Sequence, residues 1–67
     1  MADKLKKGDT VFYTARTDTV RAVVVRSHRD GSVTVEAKFA VDAAGKDKGT
    51  YLGFTYRMER ADLRRAA

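Results

Sequence analysis

The sequence predicts an all-β fold: a small barrel of four to five antiparallel strands with a short C-terminal 3₁₀ turn. Three observations carry this expectation. Asp30-Gly31 separates two β-branched runs, Val20-Arg21-Ala22-Val23-Val24-Val25 and Ser32-Val33-Thr34-Val35, and glycine takes the positive φ of a tight hairpin turn without steric cost. After the turn, Val33, Val35, Ala37, Phe39 and Val41 alternate with Thr34, Glu36, Lys38, Ala40 and Asp42. A period of two sets one group on a dry face and the other on a wet one. Nowhere does an apolar pattern persist at helical spacing for more than a turn.

Gly8-Asp9 opens a first strand over residues 10–15, with Val11 and Tyr13 on one face and Phe12 on the other. Arg16-Thr17-Asp18 is polar and reads as a loop. The second strand spans 19–27; Ala22-Val23-Val24-Val25 is apolar on both faces, which leaves its inward register open. The third strand spans 32–41. The glycines and charges of residues 42–49 predict a loop. A fourth strand follows over 50–58 with Leu52, Phe54, Tyr56 and Met58 on one side, and Gly53 marks a bend or bulge within it. Residues 61–65 are too short for an independent helix and predict a 3₁₀ turn that plugs one barrel end with Leu63. Val11, Val33, Val35, Phe39, Leu52, Phe54, Tyr56 and Leu63 are the expected core. Curling so small a sheet buries both halves of that apolar face and removes exposed edges.

At 67 residues the chain is expected to form a single domain over 1–67, with residues 1–7 and 66–67 loose. A domain of this size buries only ~60% of its unfolded surface, so its stability margin is thin. The absence of cysteine excludes disulfides and thiolate zinc sites as added support. No apolar run approaches the ~20 residues of a membrane span, and the charged start, Met1-Ala2-Asp3-Lys4-Leu5-Lys6-Lys7, lacks the apolar stretch of a signal peptide. The expected location is cytoplasmic. Fourteen Lys and Arg against nine Asp and Glu give a formal charge of +5, which attracts polyanions.

Taken in order, Lys7-Gly8-Asp9-Thr10-Val11, the valine-rich second strand, Asp30-Gly31-Ser32-Val33-Thr34-Val35 and Arg60-Ala61-Asp62-Leu63-Arg64 resemble the SH3-like barrel superfamily, nearest to its KOW-type and Tudor-like members. The resemblance extends over nearly the whole chain. It implies a module that binds RNA or proteins through its loops and an exposed sheet face.

Catalysis finds little support in these residues. Ser27 and His28 are strand neighbours that point to opposite faces, which argues against a nucleophile–base pair, and His28 reads as an exposed turn residue. Glu36 and Glu59 fit surface ion pairs better than a paired-carboxylate cleft. Asp42 and Asp47 do not match a calcium-loop spacing, and no His or Cys pair is present for another metal. The chain is therefore expected to be a non-enzymatic binding module without cofactor or metal. Its expected partner is DNA or RNA, contacted by Lys38, Lys46, Lys48, Tyr51, Arg57 and Arg60, because small barrels lay basic groups along phosphates and stack bases on aromatics. The alternative is a protein-interaction or self-association module acting through Phe12, Val23 and Val25.

Overall fold

A computed structural model describes residues 5–65 of the chain. Its strands are β1 (Thr10–Ala15), β2 (Asp18–Ser27), β3 (Ser32–Val41), β4 (Asp47–Lys48), β5 (Thr55–Glu59) and β6 (Arg64–Arg65), with one 3₁₀ turn at Arg60–Asp62. All pairings are antiparallel. The central path runs β4-β3-β2-β1-β6, and β5 also pairs with β3. The protein is thus all-β, a single sheet curled into a half-barrel. Among the described residues no helix is long and apolar enough to cross a membrane.

The β2–β3 hairpin turns where expected. Gly31 N–H donates to His28 O at 3.2 Å and His28 N–H to Ser32 O at 2.9 Å, with Gly31 at φ +94°. Asp30 Oδ1 accepts the Ser32 backbone N–H at 2.9 Å and the Ser32 hydroxyl at 2.6 Å, which ties the turn to the first residue of β3. The inward register of β2 is Val20, Ala22 and Val24. Across the sheet they form rows with Tyr13, with Val11 and Ala37, and with Val35. Leu5, Val33 and Leu63 complete one contiguous core, and Ala15, Leu52 and Met58 pack against it. Each buried valine contributes roughly 1.5–3 kcal/mol relative to an exposed one. Leu63 follows the 3₁₀ turn and is buried in the core.

Several expectations need correction. Of the residues expected to be loose, 1–4 and 66–67 lie outside the described residues, whereas Leu5 is buried in the core. The expected loop at 42–49 contains β4, which pairs with Ala40 and Val41. The fourth strand begins later than predicted, at Thr55. Before it, Leu52 and Gly53 N–H donate to Lys38 O and Ala37 O, and Ala37 N–H donates to Phe54 O, at 2.8–2.9 Å. Gly53, expected to mark a bend or bulge, takes a positive φ of +76° just before β5.

Phe39, Phe54 and Tyr56 leave the expected core. In β3 the alternation breaks at Lys38, because Ala22 pairs with Ala37 but Arg21 pairs with Phe39. That bulge turns Phe39 out onto the face of Arg21. A second bulge leaves Val25 without a cross-strand partner, between Val24↔Val35 and Arg26↔Thr34. Phe54 and Tyr56 are 41% and 45% exposed because the curl stops short of closure. Among the described residues β5 pairs with β3 only, and the space between β5 and β1 is an open groove lined by Tyr13, Thr14, Ala15, Tyr56, Arg57 and Met58.

Candidate nucleic-acid interface

Residues directly opposite in an antiparallel pair share a face of the sheet. Arg64 lies opposite Phe12, Phe12 opposite Arg21, and Arg21 opposite Phe39. The row therefore crosses β6, β1, β2 and β3 on the outer face as cation, aromatic, cation, aromatic. The Arg21 guanidinium stands 5.7 Å from the centre of the Phe39 ring. The Phe39 ring meets Tyr51 edge-on at 5.7 Å, and the Lys38 ammonium lies 5.6 Å from the Tyr51 ring centre. Cation–π contacts at exposed sites contribute ~0.5–1 kcal/mol each.

Two local features hold Tyr51 on this row. Its hydroxyl donates to the Glu36 carboxylate, which also accepts from Lys38 Nζ at 3.1 Å. The ring also lies against Gly53, where a Cβ would come within 2.8 Å of Tyr51 Cε2. The hydrogen bond from Tyr51, and then that from Lys38, lowers the Glu36 pKa below the usual range; the same contacts raise those of Tyr51 and Lys38. The tyrosine stays protonated and half exposed, with its ring available to a stacking partner.

The sequence-predicted residues divide between this row and other places. Lys38 and Tyr51 are on it. So are Phe12 and, one row away opposite Thr10 and Glu36, Val23. Two surfaces that the sequence treats as separate thus share one face. Val25 is exposed at its bulge, beyond Val24. Lys46 stands at a loop tip organised by Asp42, whose carboxylate accepts the backbone N–H of Ala44 and Lys46 at 2.9 Å. Lys48 pairs with Asp18 at 3.1 Å. Arg57 joins Asp30 at 2.7 Å and donates to Ser32 Oγ at 2.8 Å, at the hairpin end of the sheet. Arg60 folds back onto Leu63 O at 3.1 Å, and its Nε is buried without a partner. Arg60 therefore serves the 3₁₀ turn and presents little charge outward.

Sequence reasoning missed Arg21, Phe39 and Arg64. The hairpin turn already aligns Arg21 with Phe39, since the extra Val25 on β2 and the extra Lys38 on β3 cancel. The facing of that pair, however, depends on where the bulges fall. Arg21 is also bound by Asp47 at 2.6 Å, a partly exposed pair of the kind worth ~0–1 kcal/mol. Asp9 accepts the Lys6 backbone N–H at 2.8 Å and pairs with Arg65 at 3.0 Å, which joins the start of β1 to β6.

His28 is half-buried, with Nε2 hydrogen-bonded to Thr34 Oγ1 at 2.7 Å, and Ser27 Oγ donates to Leu5 O at 2.5 Å. Each of these side chains is thus engaged in the fold. Among the described residues no three His, Cys, Asp or Glu side chains converge to hold a metal ion. No family model, curated protein or solved structure matches the chain.

Proposed function

We propose that this protein is a non-enzymatic, cytoplasmic binding module of SH3-like type that holds single-stranded nucleic acid on the outer face of its sheet, with weak sequence preference. The observation that carries this reading is the cross-strand row Arg64–Phe12–Arg21–Phe39, extended by Tyr51 and Lys38. Phe12 and Phe39 are two strands apart, roughly 9–10 Å at the usual strand spacing, with a guanidinium between them. Aromatic platforms interleaved with cations suit unpaired bases and their phosphates, whereas the bases of a duplex are not free to stack. The formal charge of +5 favours encounter with a polyanion. Lys46, exposed on the adjoining loop, extends the positive field.

The test is fluorescence anisotropy with labelled DNA and RNA oligomers, single- and double-stranded, over a salt series. Single strands should bind more tightly than duplexes. Tyr51→Ala and Phe39→Ala should each weaken binding by ~1–3 kcal/mol, while Arg60→Ala should leave it nearly unchanged. Equal loss from Arg60→Ala and Tyr51→Ala would remove the outer row from consideration. A protein partner is the second reading, favoured by the apolar Phe12 and Val23 on this same face. It predicts a complex that salt hardly disturbs and no measurable affinity for the oligomers.

A further inference from the structure

Four exposed cations, Lys6, Lys7, Arg26 and Arg29, have no ion partner among the described residues. The fold draws all four to the hairpin end of β2. Ser27 Oγ donates to Leu5 O at 2.5 Å and Gly8 N–H donates to Val24 O at 2.8 Å. Residues 5–8 therefore run beside 24–27, which sets Lys6 and Lys7 next to Val25 and Arg26. Arg29 follows in the turn, two residues beyond Ser27. The backbone of the two lysines is held in place: Asp9 N–H donates to Lys6 O at 3.0 Å, and the Asp9 carboxylate accepts the Lys6 N–H at 2.8 Å.

The carboxylates at this end do little to cancel the charge. Asp9 is held by Arg65 and Asp30 by Arg57. Glu59 lies opposite Ser32, on the side of β3 away from β2. Like charges gathered on a small surface repel one another, and a bound anion relieves that repulsion.

Register puts the cluster on the face already described. Arg26 is opposite Thr34, whose neighbours Val33 and Val35 are buried in the core, so Arg26 shares the outer face with Arg21. At ~3.3 Å per residue, less the bulge at Val25, the two arginines are about 15 Å apart along the strand. Between them β2 presents Val23 and the exposed Val25, and no carboxylate. The opposite end of β2 differs. Asp18, Asp42 and Asp47 gather there and offset Lys46 and Lys48.

We propose that a single strand seated on the Phe12–Arg21–Phe39 row continues along the outer face of β2 toward the hairpin, where Lys6, Lys7, Arg26 and Arg29 bind the phosphates of its further nucleotides. This rests on the nucleic-acid reading above and adds to it a direction and a footprint. Charge selects the direction, because only the hairpin end of β2 has cations that no carboxylate of the chain neutralises.

The test is anisotropy over a salt series with labelled oligothymidylates of about four and about ten nucleotides, both within the range of small-barrel footprints. The slope of log K against log salt should be about −2 for the shorter strand and about −5 for the longer, as four further phosphate contacts require. Arg26→Gln with Arg29→Gln should weaken the longer strand at least about tenfold and leave the shorter within about threefold. Lys6→Gln with Lys7→Gln should act alike. None of the four side chains makes a described hydrogen bond or ion pair, so both double variants should fold. Equal slopes for the two lengths, or a longer strand indifferent to both double variants, overturn this path and leave the aromatic row standing. A shorter strand that does not bind, or that is indifferent to Tyr51→Ala, removes the row itself, and the continuation falls with it.

Discussion

At the scale of single residues, Gly53 and Asp30 do more than shape turns. Gly53 takes φ +76° and leaves room for the Tyr51 ring, which a Cβ would meet at 2.8 Å. Gly53→Ala should strain the backbone by ~1 kcal/mol and also push the ring off its seat. A thermal melt combined with oligomer anisotropy checks both effects: stability should fall modestly and affinity should fall as in Tyr51→Ala. Asp30 has its pKa lowered to about 2, first by the Ser32 hydroxyl, then by the Ser32 amide, with Arg57 adding to the effect. The folded value lies below the ordinary 3.8, so the stabilisation is complete above that pH and disappears as pH falls through about 2. Asp30→Asn should therefore lower Tm at neutral pH and converge on the wild type near pH 2. Parallel Tm curves for the two proteins across that window would show that the ionised carboxylate is not what matters.

At the scale of strands, two bulges decide which side chains the outer face presents. Alternation through β3 correctly assigns Val33, Val35 and Ala37 to the core, and it fails at Phe39 because Lys38 is the extra residue of a bulge. The same local step removes an aromatic from the interior and supplies one to the candidate site. Inside the curve, Ala22 and Ala37 lie opposite each other and are fully buried. Small side chains at this point leave room for Val11 in the same row. Ala37→Leu should overpack it and destabilise the domain by about 1–3 kcal/mol, measured by urea unfolding. A stability equal to wild type would mean that the half-barrel has slack at its centre.

At the scale of the whole molecule, charge is dispersed along the chain, and part of it is paired. Arg21, Lys38, Lys48, Arg57 and Arg65 each meet a carboxylate within 3.1 Å. Around the aromatic row the positive charge is therefore a diffuse field rather than a dense stripe. If Arg21, Lys38 and Arg64 are the phosphate contacts, the slope of log K against log salt for a single strand should be about −2. A slope near zero would exclude phosphate contacts, and one several times steeper would mean that more of the surface takes part.

The amino-acid order alone was enough to determine the hairpin, the first three strands, the positive-φ glycine at Gly53 and the buried Leu63 after the 3₁₀ turn. Each of these follows from local causes: glycine at positive φ, β-branched runs, and a period of two. Tertiary structure decided the rest, because each remaining feature depends on residues distant in sequence. The turn of Phe39 onto the outer face, the assembly of Arg64, Phe12 and Arg21 beside it, and the loss of Arg60 to the 3₁₀ turn all arise that way. The open side at β5 does too, since whether a curled sheet closes depends on whether its last full strand reaches its first, and no local pattern encodes that distance.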